Sequence, residues 1–177
     1  NRKTIVFYYK SMKTLFLIRH AKSSWNEPDL KDEERPLNDR GNSDAPMVAQ
    51  RMAKSWPVPD KIICSQALRA WETAAIMSEF WWKQRAIEID GRLYGSSASS
   101  TLEIIARIPP EVNSLALVFH NPTITYLSNV LSSLSIPHVP TCGIVMLRPR
   151  VESWEELEPG TCELLDFDYP KRKFPPS

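Results

Sequence analysis

Three short, predominantly apolar runs set the architecture of this chain: Leu15 to Ile18, Lys61 to Cys64 and Leu115 to Phe119. A strand that shows no polar alternation must be covered on both faces, and in a parallel sheet helices do the covering. Between and after the runs lie stretches with helical apolar spacing: Ala45 to Lys54, Ala67 to Trp82, Thr101 to Ile108 and Thr123 to Leu134. Pro109-Pro110 stops the third helix, and Pro122 opens the fourth. Ile87 to Ile89 reads as a minor strand. Gly143 to Leu147 and Cys162 to Phe167 follow one another with no helix between them, which predicts an antiparallel hairpin. The expected fold is α/β, a three-layer sandwich with a mixed, mostly parallel sheet and helices on both faces.

At 177 residues and 42% hydrophobic, the chain can sustain one well-buried core. Residues 12–177 are expected to form a single domain. Residues 1–11 read as an N-terminal extension, because they carry no periodicity while Met12-Lys13-Thr14 leads straight into the first strand. The net charge of +1 gives no global field of the kind that polyanion binders carry, so nucleic acid is not an expected partner. No apolar stretch approaches the roughly 20 residues needed to cross a bilayer, so no membrane partner is expected and the location is read as cytoplasmic. Cys64, Cys142 and Cys162 are scattered and odd in number, which fits small buried side chains better than a disulfide framework or a zinc site. The basic stretch in the tail from Pro170 reads as a solvated terminus.

The chemistry sits where the apolar runs end. In an open α/β sheet the carboxyl ends of the parallel strands share one edge, and ligands bind there. Arg19-His20 follows the first run, Ser65 and then Arg69 follow the second, and His120 follows the third. Taken singly, each arginine would be a surface ion-pair partner and each histidine a locally bonded ring. Taken together, two of the chain's three histidines stand at equivalent strand ends. His138, in a proline-flanked loop, has no such placement. Two guanidinium groups favour an anion, because each donates paired hydrogen bonds that match phosphate oxygens. Neither histidine has a second ligand at metal-binding spacing, so neither a metal nor a cofactor is expected.

These residues carry a resemblance. Leu17-Ile18-Arg19-His20-Ala21-Lys22-Ser23-Ser24-Trp25 resembles the Arg-His-Gly signature of the histidine phosphatase superfamily, the phosphoglycerate mutase-like group, in an Arg-His-Ala-Lys-Ser variant. Arg35-Pro36-Leu37-Asn38-Asp39-Arg40-Gly41, Ser65-Gln66-Ala67-Leu68-Arg69-Ala70-Trp71-Glu72-Thr73-Ala74, His120-Asn121-Pro122 and Pro140-Thr141-Cys142-Gly143 resemble, in order, blocks of SixA-type phosphohistidine phosphatases. The similarity runs from Lys13 to Lys171.

The resemblance implies a metal-independent phosphatase in which His20 attacks phosphorus and is transiently phosphorylated before water releases phosphate. Arg19 and Arg69 would hold the equatorial oxygens and His120 would add a donor to the developing charge. Ser23 and Asn26 sit where related enzymes contact phosphate. Lys22 and Arg35 read as surface ion-pair residues rather than as a positive rim. For His20 to attack, its reacting nitrogen must be neutral; a backbone carbonyl holding the other nitrogen and two nearby arginines lowering the ring's pKa would secure that.

Mutase-like and acid-phosphatase members place a general-acid carboxylate after a Leu-x-Glu block or directly after the second histidine; the corresponding places here hold Gly95 and Asn121. An alcohol, with a pKa of about 15.7, leaves badly without that acid, whereas imidazole, near roughly 6.5, needs far less help. The expected partner is therefore a phosphohistidine-bearing protein. A small phosphorylated metabolite is the alternative, and a non-catalytic phosphate-binding module a third. Phe119 stands where the family's second-histidine block has glycine, which predicts crowding at His120. Trp81 and Trp82, with Phe80, read as core or contact aromatics.

Overall fold

The computed structural model describes residues 13–175. The extension expected over residues 1–11 lies outside the described residues. The strands are β1 (Thr14–Arg19), β2 (Lys61–Cys64), β3 (Glu88–Ile89), β4 (Ser114–Phe119), β5 (Ile144–Pro149) and β6 (Cys162–Asp168). They form one sheet in the order β3-β2-β4-β1-β5-β6. The first four are mutually parallel, while β5 runs antiparallel to both β1 and β6. The helices are α1 (Asp39–Ser55), α2 (Leu68–Phe80), α3 (Ala98–Ala106) and α4 (Thr123–Ser132).

Alternation along each central strand sends successive side chains to opposite layers. Phe16, Ile18, Ile62, Ala116 and Val118 pack with Val48, Met52, Ala74 and Met77 of α1 and α2. Leu15, Leu17, Ile63, Leu117 and Phe119 pack with Ile104, Ile105, Leu127 and Leu131 of α3 and α4. The sandwich thus has its three layers. Trp81 and Trp82 both belong to the α1/α2 core, and the three cysteines are buried and free.

Helix boundaries differ from the sequence reading where local chemistry overrides periodicity. α1 begins six residues before Ala45, because the Asn38 side chain caps it by accepting from the Gly41 amide at 2.9 Å. Gly41 and Pro46 both disfavour a helix interior, which hid that first turn and a half. Gly41 is required there, since a β-carbon would stand 2.2 Å from the carbonyl oxygen of Lys22. α3 begins at Ala98 rather than Thr101, capped by Ser97, and α4 ends at Ser132, where Ser133 turns left-handed with φ of 56°.

Register positions the site. Arg19 pairs with Phe119 and Cys64 with Val118, so His20 and His120 leave the sheet at the same level and Ser65 leaves one step below. The backbone continues the ladder, with the His20 amide donating to the Phe119 carbonyl and the Ser65 amide to that of Val118.

Candidate active site

The strand ends bring His20, Arg19, Ser65, Arg69 and His120 to one edge. His20 is only 7% exposed, and its Nδ1 donates to the carbonyl of Ala21 at 2.7 Å. A carbonyl only accepts, so the proton sits on Nδ1 and the Nε2 lone pair is free. The Ala21 peptide is held in turn from α2: its amide donates to Oγ1 of Thr73 at 2.9 Å, and that hydroxyl donates to the Arg69 carbonyl at 2.7 Å.

His120 lies beside His20, with ring centroids 5.2 Å apart, and its Nε2 is 2.8 Å from the Ser65 hydroxyl. The Tyr94 ring stands nearly perpendicular to the His120 ring, with centroids 5.6 Å apart. Burial pushes His20 down to about 3, with smaller contributions from His120, Arg69 and Arg19 against the opposing Ala21 bond. Burial likewise lowers His120 to about 4, helped by Arg69. The two arginines thus act in the expected direction, but removal from water is the larger cause. Three buried donor-capable nitrogens around these rings, Nε of Arg19, Nε of Arg69 and Nδ1 of His120, have no hydrogen-bond partner among the described residues.

A pocket of about 410 Å³ opens over His120, lined also by Asp32, Arg69, Tyr94, Gly95, Ser96, Asn121, Pro122 and Thr123. Asp32 is the residue that sequence reasoning missed. Its carboxylate accepts from Arg69 Nη2 at 2.9 Å, from the Tyr94 hydroxyl at 2.7 Å and from Arg35 Nε at 3.1 Å. Partial burial pulls this carboxyl upward, but Tyr94 and Arg69 outweigh that pull and hold it at about 2. Asp32 is therefore ionised at neutral pH and has no proton to give. Nothing in the sequence distinguishes it from the other acidic residues of its loop.

Arg19 donates from Nη1 to the Val139 carbonyl at 2.9 Å, and the same nitrogen lies 3.2 Å from Nε2 of His138. His138, expected to be uninvolved, thus reaches the site from a loop distant in sequence. Gly95 has φ of +67° and open space around its α-carbon, so no acid reaches the pocket from that position. Phe119 points into the α3/α4 core and is not part of the pocket lining, so its ring does not crowd His120 from the ligand side.

Of the residues expected to form the site, Arg69 and His120 line the pocket, whereas His20, Arg19, Ser23 and Asn26 do not. The Ser23 hydroxyl is buried and accepts from Arg35 Nη1 at 2.9 Å, while exposed Asn26 lines a separate depression with Pro36 and Arg40. Arg35 is not the surface residue expected: it is 8% exposed, with its guanidinium 3.5 Å from the Trp25 ring centre, and it braces the loop after β1. Lys22 serves through its backbone, accepting from the Asn38 amide at 3.0 Å. Among the described residues, no group of three His, Cys, Asp or Glu side chains could hold a metal ion. No helix among them is long and apolar enough to cross a membrane.

Comparison with known proteins agrees with this geometry. The model of the histidine phosphatase superfamily (branch 1) matches residues 15–98. An uncharacterised protein of Mycobacterium tuberculosis is 33% identical over 165 residues, covering 87% of this chain and all of that protein. An uncharacterised chloroplastic protein of Arabidopsis thaliana is 30% identical, covering 80% of this chain and 69% of that protein. A structure from Agrobacterium tumefaciens, described as a phosphohistidine phosphatase SixA, superposes with a TM-score of 0.77 at 27% identity, covering 90% and 99% of the two chains. One from Nakamurella multipartitia, described likewise, gives 0.80 at 23% identity, covering 92% and 98%. A mycobacterial glucosyl-3-phosphoglycerate phosphatase is more distant, with a TM-score of 0.66 at 16% identity, covering 86% and 97%.

Proposed function

The chain belongs to the histidine phosphatase superfamily, and on that premise we propose that it hydrolyses phosphohistidine in a phosphoprotein through a phosphorylated His20. The observation that carries the reading is His20 itself: a buried ring whose Nδ1 proton is fixed on the Ala21 carbonyl and whose ionisation is pushed down to about 3. Such a ring presents a lone pair on Nε2 throughout the neutral range.

In the first step Nε2 of His20 forms a bond to phosphorus as the bond from phosphorus to the leaving group breaks. Arg19 and Arg69 bind the oxygens on which negative charge is spread, and His120 stands beside them. In the second step a water oxygen bonds to phosphorus, the phosphorus–Nε2 bond breaks, and phosphate leaves with His20 restored.

The leaving group decides between substrates. The pocket's carboxylate, Asp32, is ionised, and the positions of Gly95 and Asn121 offer no acid. A phosphohistidine whose second ring nitrogen is protonated departs as neutral imidazole and needs no proton from the enzyme. An alkoxide does need one. SixA-type structural relatives support the same substrate class.

The test is to mix the protein with a phosphohistidine-bearing protein, quench in alkali and map acid-labile phosphate by mass spectrometry. Phosphate on His20, absent in His20→Ala, is expected, together with faster turnover of the phosphohistidine protein than of alkyl phosphate esters. Preferential turnover of phosphorylated metabolites would reassign the substrate, and binding with neither phosphoenzyme nor turnover would leave a phosphate-binding module.

A further inference from the structure

Three side chains spaced four residues apart on and just before α4 tie the segment between α4 and β5 to the helix. Asn129 donates to the Ile136 carbonyl and accepts from the Ile136 amide, both at 2.8 Å. The Thr125 hydroxyl accepts from the Val139 amide at 3.1 Å and donates to Oδ1 of Asn121 at 2.9 Å. Asn121 closes the ring by donating from Nδ2 to the Val139 carbonyl at 2.9 Å. That carbonyl is the one that receives Arg19 Nη1.

We infer that Asn121 is a positioning residue for Arg19: its amide fixes the Val139 carbonyl, and the carbonyl aims the guanidinium. Among the described residues, the Arg19 side chain has hydrogen-bonding contacts only with that carbonyl and the His138 ring, while its Nε is buried and unpartnered. A long arginine side chain with so few restraints is oriented by whatever fixes its acceptor. The chemistry also selects an amide over a carboxylate. Oδ1 receives donors from the Thr125 amide and hydroxyl, while Nδ2 must donate to a carbonyl, so one end has to accept and the other to donate. An aspartate at 121 would set an oxygen against the Val139 oxygen and free it to swing, taking Arg19 with it. The position that carries a proton donor in acid-phosphatase relatives is thus given over here to holding the phosphate-binding arginine.

The inference rests on the phosphatase reading only in taking Arg19 as a phosphate ligand, and a double-mutant cycle tests it with two readouts: tungstate affinity by isothermal titration, and kcat/KM on p-nitrophenyl phosphate. Asn121→Ala and Asn121→Asp should each weaken tungstate binding about tenfold, and adding Asn121→Ala to Arg19→Ala should cost less than about twofold more. Asn129→Ala loosens the same segment two turns away, so it should lower Tm while leaving tungstate affinity within about twofold of wild type. Multiplying losses in the double variant, wild-type binding in Asn121→Asp, or an equal binding loss in Asn129→Ala would overturn the inference. Full turnover by His20→Ala would instead sink the reading of His20 as the nucleophile, and the tungstate cycle would still report whether Asn121 acts through Arg19.

Discussion

Arg69 is gripped by Asp32 on two sides: Nη2 lies 2.9 Å from Oδ2 of its carboxylate, and Nη1 lies 2.6 Å from its backbone carbonyl. The arginine proposed to bind phosphate is thus held by an internal anion. Asp32 both orients the fork and competes with the ligand for it.

Replacing the charge while keeping the acceptor separates those two effects. Asp32→Asn retains an oxygen for Arg69 and the backbone contact, but removes the negative charge that repels a phosphate. Tungstate or orthophosphate affinity at pH 7, read by isothermal titration, should tighten by about three- to tenfold. Weaker binding would mean that orientation outweighs competition. Stability should change little, because the Asp32 side chain is 49% exposed.

His20 and His120 together make a pH signature. Folding lowers His20 to about 3 and His120 to about 4. The unfolded chain protonates both near pH 6.5, so their neutral forms support the fold fully above that pH. The support declines as pH falls through 6.5 toward the folded values. Urea unfolding should show stability falling between pH 7 and 5 by up to about 1.4 kcal/mol per unit for each ring, with a shallower slope in His20→Gln. By NMR neither ring should titrate between pH 5 and 8, and a cationic His20 at pH 7 would rule out its role as a ready nucleophile.

Thr73 links α2 to the proposed nucleophile, His20, through the backbone of Ala21. Thr73→Val keeps the shape but leaves a buried amide without an acceptor, for an expected loss of about 1–3 kcal/mol in denaturant unfolding. The same change loosens the backbone of Ala21 on the amide side of the residue whose carbonyl fixes Nδ1 of His20, so kcat should fall more than KM rises. Thr73→Ser, which keeps the hydroxyl, should recover most of both.

Phe119 fills the α3/α4 core and is fully buried. Phe119→Ala should therefore cost about 3–5 kcal/mol in thermal or chemical unfolding without raising kcat/KM. An increase in kcat/KM would show that the ring does restrict the pocket, as the glycine in related sequences suggests.

Much of the site was legible because it depends on strand ends. Arg19, His20, Ser65 and His120 come directly off β1, β2 and β4, and Arg69 lies in the first turn of the following helix, so the apolar runs alone place them at one edge. What stayed hidden depends on loops. Asp32 is one acidic residue among several until the chain folds it onto Arg69 and Tyr94. His138 looks idle until its segment docks on α4. Ser23 and Asn26 follow the signature closely, yet the Ser23 hydroxyl is drawn to Arg35 and Asn26 lines a separate depression.

The order of residues alone was enough to specify the sandwich and the three strand ends that carry two arginines and two histidines, because uninterrupted apolar runs have one way to be buried and a parallel sheet has one edge for their ends. It also determined that no acid follows His120 or occupies position 95. Folding sets how those groups are held: which ring nitrogen of His20 carries the proton, which carboxylate holds Arg69, and which carbonyl aims Arg19. The first depends on how the fold aims the neighbouring Ala21 carbonyl, and the other two join residues distant in sequence. Such hydrogen bonding and desolvation appear only when the loops close over the sheet.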